Sequence, residues 1–315
     1  MAAAGMKKIH HLVSCSGGKD STATMLLALK QFPNETTAVF ADTGNEHEAT
    51  YEYIEYLRDT LTVEIKVLKQ DFSGWWWRKR DYVRDKWPGK GVSEDRVARV
   101  LEWYARGPTG NPYVDLCFIK GMFPSRTKQF CTQYLKTEPL TEYSLDLMET
   151  LDCDLWSWQG IRRDESNNRR NALGFEEMAE GLYAFRPIAG WTAQETVDFV
   201  RSCGLKLNPL YEQGMARVGC MPCINASKNE LAEIARRFPE HIERIAAWEQ
   251  IVNKASKGED ASFFPSPDRD NRGALRGRNV HSVVRWAKTF RGGKMANPEW
   301  DEPAPQCSSS YGLCE

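Results

Sequence analysis

The sequence has no long apolar run and no excess of charge of either sign. Its 315 residues include 42 Lys and Arg against 43 Asp and Glu, which gives a formal net charge of -1. No apolar stretch approaches the roughly 18 residues that a membrane span needs, and the first residues lack a signal-peptide hydrophobic core. These absences exclude a uniformly polybasic nucleic-acid coat, and they predict a cytoplasmic protein with no membrane partner.

Histidine is scarce, whereas cysteine is common. The five histidines show no metal-ligand spacing of their own, and the cysteine count is nine, an odd number. In a reducing compartment, closely spaced cysteines are metal ligands or redox groups more often than disulfides. Four cysteines have apolar or helical neighbours and are predicted to be buried packing residues: Cys15, Cys117, Cys153 and Cys203.

The first 70 residues alternate between strand and helix patterns. Strands are predicted at 9–14, 37–41 and 63–68, and helices at 21–29 and 46–60. Strands that are separated by helical crossovers form a parallel sheet with both faces covered. The fold class is therefore α/β, with a doubly wound, mostly parallel sheet.

The alternation stops between about 71 and 130, where aromatic residues, glycine and charge are dense, and this stretch is predicted to be an inserted cap. Strands resume at 155–161 and 183–188, and Thr192 and Glu195 have the spacing of a capping box that opens a helix to 203. From 265 onward the pattern is that of a loop-rich C-terminal tail. We expect a nucleotide-binding domain at 1–230 and a helical segment with the tail at 231–315.

A glycine-rich hexapeptide joins the first strand to the first helix. A helix N-terminus offers free N–H donors and a positive dipole end to phosphate, and two glycines allow close approach of the backbone. It is not a Walker A loop, because Val13 and Asp20 stand where that motif requires Gly and Ser or Thr. The predicted phosphate-binding residues are Ser16, Gly17, Gly18, Lys19, Asp20 and Ser21.

This hexapeptide resembles the PP-loop of ATP pyrophosphatases, which cleave ATP between the α- and β-phosphates. The segments 42–44, 160–166, 186–191 and 208–211 are similar to those of the phosphoadenosine phosphosulfate (PAPS) reductase family. The resemblance covers about 10–225 and implies an adenine nucleotide alpha hydrolase-like sheet. It implies that Asp42 lies near the nucleotide and that Gly160, Arg162 and Arg163 face an anionic group. Surface salt bridges with Asp164 or Glu165 are the alternative for the two arginines.

Cys220 and Cys223 form a Cys-x-x-Cys motif, and Cys131 lies 89 positions earlier. By itself such a pair serves zinc, an iron–sulfur cluster or a redox dithiol. The resemblance to iron–sulfur members of the family favours a [4Fe-4S] cluster, with zinc or unmetallated thiols as alternatives. Those members commonly have a tandem Cys-Cys at the first position, where this chain has Phe130 and Cys131, so the fourth ligand is left open.

The C-terminal tail contains two further cysteines, Cys307 and Cys314. Either one is a candidate for the fourth ligand of the metal centre, which otherwise keeps one open iron. Related sulfonucleotide reductases use a cysteine near the C-terminus as the nucleophile, so the two are also catalytic candidates by position. The alternative is a disordered tail with solvent-exposed thiols.

Basic and aromatic residues alternate in two places, at 75–80 and at 269–294. Such patterns can follow a nucleic-acid backbone and stack on its bases. The alternative is a solvated face that is balanced by acidic residues elsewhere. Clustering of the side chains in space is what would distinguish the two.

Three functions follow from these patterns. The first is an ATP-dependent enzyme that forms AMP and pyrophosphate with Mg²⁺, coupled to sulfur transfer at the cysteine centre from a sulfur-donor protein. The second is a PAPS or APS (adenosine phosphosulfate) reductase that releases sulfite with a thiol-reductant protein. The intact Lys19 favours the first, because the reductases usually lack this lysine. The third is a non-catalytic, metal-bearing nucleic-acid-binding module.

Overall fold

A computed structural model of the protein describes residues 7–265, 277–290 and 295–300, together with residues 302, 304, 309, 311 and 313. Its centre is a six-stranded sheet with the strands β1 (Lys8–Ser14), β2 (Thr36–Asp42), β3 (Ile65–Lys69), β4 (Cys153–Trp158), β5 (Phe175–Ala179) and β6 (Leu182–Phe185). The strand order is β3-β2-β1-β4-β6-β5. All neighbouring pairs are parallel except β5 with β6. The expectation of an α/β fold with a mostly parallel sheet is confirmed.

Helices cover both faces of the sheet. On one face Val13 and Phe40 pack with the helices α1 (Lys19–Gln31), α2 (Glu48–Leu61) and α8 (Ala193–Ser202). On the other face Leu12, Val39 and Leu155 pack against α7 (Glu138–Leu151). Because successive strand residues point to opposite faces, each strand contributes apolar side chains to both layers.

Helices α1 and α2 begin two residues away from their predicted starts, because the N-cap residue sets where each helix begins. α1 begins at Lys19 rather than 21, because Gly18 is extended and acts as the N-cap. α2 begins at Glu48 rather than 46, because the side chain of His47 accepts a hydrogen bond from the backbone N–H of Ala49 at 3.0 Å. The capping box of Thr192 and Glu195 is present at the start of α8, as predicted.

Strand β5 was not predicted from the sequence. It is the antiparallel edge strand and is mostly exposed, so its residues do not show the apolar pattern of a buried strand. Phe175 stacks on Tyr183 of β6 with ring centroids 5.3 Å apart. Cross-strand packing of this kind stabilises the strand, and the sequence of that strand alone does not show it.

A second, helical core lies beside the sheet. Trp76 stacks on Phe118 at 4.5 Å, and Tyr113 stacks on Trp248 at 5.5 Å, so the 71–130 segment shares one core with helices beyond residue 230. The domain boundary at 230 stays a prediction. The helices of this layer are α3 (Ser73–Lys86), α4 (Glu94–Ala105), α5 (Pro112–Lys120), α9 (Lys228–Arg237), α10 (Pro239–Ala255) and α11 (Val280–Ala287).

Between the two cores, the chain passes through a short helical turn α6 (Phe130–Thr132) and a π-helical turn (Gln133–Thr137) before α7. Beyond 265, the described residues include helix α11 and a short hairpin of β7 (Thr289–Phe290) and β8 (Met295–Ala296) in addition to loops. No helix within the described ranges is both long and apolar enough to cross a bilayer. Cys307 and Cys314 lie outside the described residues.

Candidate functional site

The phosphate loop is held by bonds between its own serines. The backbone N–H of Ser16 donates to Oγ of Ser21 at 3.0 Å, and the Ser21 hydroxyl donates to the carbonyl of Gly18 at 3.0 Å. Gly17 has a φ of +74°, a left-handed conformation that glycine adopts without strain. The loop thus ends at the N-terminus of α1, where unpaired N–H groups and the helix dipole favour an anion.

Lys19 is buried, with 4% of its surface exposed. Its Nζ lies 3.7 Å from Oδ2 of Asp20, and it faces the rings of Tyr211 and Tyr311 at 5.2 and 4.9 Å. Its backbone N–H donates to the Tyr211 hydroxyl at 2.9 Å, and burial raises the pKa of that hydroxyl. One carboxylate and two aromatic rings therefore hold the ammonium group in place beside the phosphate loop.

Gly160 lets the chain after β4 pass directly against α1. A Cβ at this position would stand 2.8 Å from the backbone carbonyl of Asp20. This approach brings Arg162 to Asp20, and its Nε donates to Oδ1 of Asp20 at 2.6 Å. Arg162 is buried and also pairs with Asp164. Arg162 therefore lines the cavity beside the phosphate loop and also forms an ion pair with Asp164, and its role in binding an anion stays a prediction.

Four predicted site residues are not among the residues that line the cavity beside this loop: Gly17, Asp42, Cys131 and Arg163. Arg163 is exposed, and its Nε donates to the carbonyl of Ala172 at 2.9 Å. Asp42 is buried, but its Oδ1 accepts from the Tyr51 hydroxyl at 2.7 Å and from the N–H of Gly44 at 2.9 Å. Asp42 therefore shapes the turn after β2, and Arg163 braces a neighbouring loop.

The Cys-x-x-Cys segment docks onto the same turn after β2. The N–H of Met221 donates to the carbonyl of Asn45 at 2.7 Å, and the Asn45 side chain donates to the carbonyl of Pro222 at 3.0 Å. The Cys220 thiol lies 3.6 Å from Oε1 of the buried Glu46. Burial raises the pKa of Cys220 to about 12, and the Lys136 ammonium opposes that shift.

Cys131 and Lys136 approach this pair from the turns between α6 and α7. Burial raises the pKa of the Cys131 thiol, and the Cys223 sulfur raises it further. The pKa of Lys136 is raised chiefly by Cys220, with further contributions from Glu46 and the other two cysteines. The fold thus gathers Cys131, Cys220 and Cys223 around one ammonium group, and their role as metal ligands stays a prediction.

The spacing of the three thiols limits which metal centre they can hold. Within the described part of the chain, these three sulfur atoms do not all lie within 4.8 Å of one another. Tetrahedral zinc with bonds of about 2.3 Å requires sulfurs roughly 3.8 Å apart. A larger [4Fe-4S] cluster accepts thiolates at a wider spacing, and its ligands are cysteines. The donor set therefore fits a cluster with three protein thiolates better than a zinc ion.

A group of two histidines and a glutamate has ligand atoms within 4.8 Å of one another: His47, Glu48 and His241. The two imidazole rings are stacked 4.5 Å apart at 10°. A metal ion binds in the plane of each imidazole, so two stacked rings do not share one ion in this arrangement. Nε2 of His241 instead lies 3.0 Å from the Glu48 carboxylate.

One cavity of about 680 Å³ contains both the phosphate loop and the cysteine pair. Lys19 and Arg162 line one side, and Lys136, Cys220 and Cys223 line the other. Its walls contain more positive than negative side chains close to the loop, because Arg169 and Arg217 also reach it.

Several residues that line the cavity or contact its cysteines were not predicted as site residues. Tyr211 belongs to a segment that marked the family resemblance, so its position was available from the sequence. Glu46 contacts the Cys220 thiol and lies shortly after the predicted site residue Asp42, but it was not itself predicted. Lys136 has no motif around it, and only the fold brings it to Cys220. The prediction that Cys203 is buried is wrong, whereas Cys15, Cys117 and Cys153 are buried.

The sheet order, the strand-to-helix phosphate loop and the cysteine pair define an α/β nucleotide-binding protein of the PP-loop class. The family model of the phosphoadenosine phosphosulfate reductase domain matches residues 10–101 and 118–226. The chain belongs to the PAPS reductase family of the adenine nucleotide alpha hydrolase-like superfamily. The resemblance drawn from the sequence is confirmed.

Relatives of this chain include a protein of Escherichia phage 186, described as an uncharacterized 37.8 kDa protein, which is 41% identical and covers 97% of this chain and 96% of its own length. The phosphoadenosine 5'-phosphosulfate reductase of Xylella fastidiosa is 26% identical over 73% of this chain and 78% of that protein. Among solved structures, the PAPS reductase of Candida auris in its phosphate complex matches with a TM-score of 0.42 and 14% identity, over 70% of this chain and 84% of that one.

Proposed function

We propose that the protein cleaves ATP between the α- and β-phosphates, adenylylates an acceptor and directs sulfur to the activated position. The observation that carries this proposal is the single cavity that contains both the phosphate loop with its buried Lys19 and the cysteine pair. Because both groups line one cavity, an adenylylated acceptor can react there without leaving the protein.

In this proposal the chain's own groups do three tasks. The N-terminus of α1 and Lys19 hold the pyrophosphate leaving group and stabilise the charge that develops on it, assisted by Mg²⁺. Arg162 fixes Asp20 and adds positive charge at the loop. The Lys136 ammonium lowers the pKa of the Cys131 and Cys220 thiols and so opposes the effect of burial.

The sulfur step balances with a hydrosulfide-level donor. The acceptor oxygen attacks the α-phosphorus and pyrophosphate leaves, and hydrosulfide from a sulfur-donor protein then displaces AMP and forms the new bond to sulfur. Cys131, Cys220 and Cys223 would hold a [4Fe-4S] cluster. With three protein ligands, such a cluster offers one open iron that binds a sulfur species.

The test is anaerobic incubation with α-labelled ATP and, separately, with labelled PAPS. AMP and pyrophosphate from ATP support the proposal. Sulfite from PAPS with ATP left intact contradicts it. The Lys19→Ala variant is the control for both reactions, because contaminating activities are not affected by it.

A second candidate is a thiol-dependent sulfonucleotide reductase. Membership of the family supports it, and so does Tyr311, which lines the cavity and donates from its hydroxyl to the carbonyl of Ala216 at 2.9 Å. This places one residue of the C-terminal tail at the site. In that reaction a tail cysteine, Cys307 or Cys314, attacks the sulfate sulfur of PAPS, and a thiol reductant supplies the two electrons that release sulfite.

A further inference from the structure

A group of lysines gathers on one side of the helical layer, away from the phosphate loop. On α3, Trp75, Lys79, Tyr82 and Lys86 follow one another at spacings of four, three and four residues, which places them on one face of the helix. Three lysines from other segments join that face. We name this surface the lysine face; it comprises Lys79, Lys86, Lys90, Lys120 and Lys257, with Trp75, Tyr82 and Tyr134.

Contacts with aromatic rings hold three of the lysines on the lysine face: Lys79, Lys90 and Lys120. Nζ of Lys90 donates to the Tyr82 hydroxyl at 2.6 Å, and Nζ of Lys79 lies 4.9 Å from the same ring. Nζ of Lys120 lies 4.3 Å from the ring of Tyr134, which packs edge-on against Trp75 at 5.0 Å. Aromatic rings therefore separate the ammonium groups along the surface.

The positive charge of this face is not neutralised by acids of the described chain. None of its five lysines has an ion pair within 4.0 Å among the described residues, whereas Arg80 and Arg84 on the other side of α3 pair with Asp81. Burial lowers the pKa of Lys79, and the charges of Lys120, Lys257 and Lys90 lower it further. Like charges that are kept together without counter-charges favour binding of an anion.

The face also leads toward the cavity. Tyr134 belongs to the same π-helical turn as Lys136, which lines the cavity, and Cys131 lies three residues before Tyr134. Trp75 and Lys120 contact Tyr134 from the outside. One helical turn thus connects the cysteine side of the site with the lysine face.

We infer that the lysine face is the docking surface for single-stranded nucleic acid, with backbone phosphates on the lysines and bases against the aromatic rings between them. A cationic surface with aromatic side chains is the arrangement that binds single strands without sequence preference. The chain as a whole has a net charge of -1, so this positive charge is local to one face. The docking does not depend on the proposed function, but the role of the strand as the sulfur acceptor rests on it.

The test compares two triple variants by fluorescence anisotropy with a labelled single-stranded oligonucleotide. Lys86→Glu, Lys90→Glu and Lys257→Glu together reverse three exposed lysines of the face. Lys8→Glu, Lys30→Glu and Lys206→Glu change the net charge equally at exposed lysines elsewhere. We expect the first variant to bind about tenfold or more weakly at ~0.1 M salt, with a shallower salt dependence, and the second to bind like the parent.

Equal loss in both variants, or no loss in the first, overturns the inference. So does tighter binding of a duplex of the same sequence, of a polyglutamate peptide or of vesicles that contain phosphatidylserine. Circular dichroism checks that both variants fold. Formation of AMP from ATP is measured on the same samples, so that failure of the proposed function is seen separately from failure of the docking.

Discussion

The phosphate-loop side of the cavity is lined by residues of one short segment, Ser16 to Ser21 without Gly17, whereas the cysteine side combines Lys136 with Cys220 and Cys223 from a distant part of the chain. In the loop, the serine hydroxyls and the Lys19 side chain already have partners on the protein. On the cysteine side, three thiols surround one lysine, and burial raises the pKa of two of them, Cys131 and Cys220.

The two sides of the cavity differ in the interactions that hold their binding groups in position. The loop is held by hydrogen bonds between its own serines and by Tyr211 and Arg162 from later segments, so its shape is set by the protein itself. The cysteine side depends on packing between the sheet and the helical layer, and its thiols must lose protons before they bind a metal. We therefore expect substitutions on the two sides to separate the two half-reactions.

The largest effect is expected from Lys19→Ala. Removing the buried ammonium group leaves the charge that develops on pyrophosphate without its main partner, and turnover of ATP should fall about 10²–10³-fold. Steady-state release of pyrophosphate measures it, and Lys30→Ala at the exposed end of α1 serves as the control. Unchanged turnover would mean that the loop is not the phosphate site.

Cys220→Ser should affect only the second half-reaction. We expect the iron content of anaerobically purified protein to fall to background and sulfur transfer to stop. ATP–pyrophosphate exchange should stay within about threefold of the parent, because the two sides are held by separate networks. The exposed Cys203→Ser is the control. Loss of both activities in Cys220→Ser, with the fold intact, would show that the two sides are not independent.

Gly160→Ala tests how closely the segment after strand β4 packs against the phosphate loop. The added Cβ would meet the Asp20 backbone at 2.8 Å, so we expect the free energy of unfolding to fall by about 1–3 kcal/mol. Urea denaturation measures it. At Gly190 a Cβ meets nothing within 4 Å, so Gly190→Ala should change stability little. Similar midpoints for both variants would contradict the close approach.

The smallest effect is expected from protonation of His47. Burial and, to a smaller extent, the neighbouring His241 lower its pKa to about 4. The unfolded chain then binds the proton more tightly than the folded one, so this contribution to stability is present above about pH 6.5 and is lost as the pH falls toward 4. After allowing for partial solvent exposure, we expect a loss on the order of 1–2 kcal/mol.

The control variant is His47→Asn, which keeps a side-chain acceptor at the N-cap of α2. Urea midpoints between pH 7 and 4.5 should decline less steeply in this variant than in the parent. Parallel declines would show that His47 does not titrate in that range.

Local sequence was sufficient for much of the fold. Alternation of strand and helix predicted the parallel strands β1 to β3, and Thr192 with Glu195 predicted the start of α8. These features depend on backbone and side-chain interactions within a few residues. Strand β5 was missed because an exposed edge strand is stabilised by its neighbour rather than by its own apolar pattern.

For the site, the sequence predicted the phosphate loop and the three candidate metal ligands, because a glycine turn before a helix and a close cysteine pair have chemical meaning at fixed spacing. Only the tertiary structure decided that Lys136 and Glu46 flank Cys220, that Arg163 lies outside the cavity, and that five lysines share one face. The reason is physical: these placements follow from how the sheet and the helical layer pack, and no local pattern encodes the contacts between them.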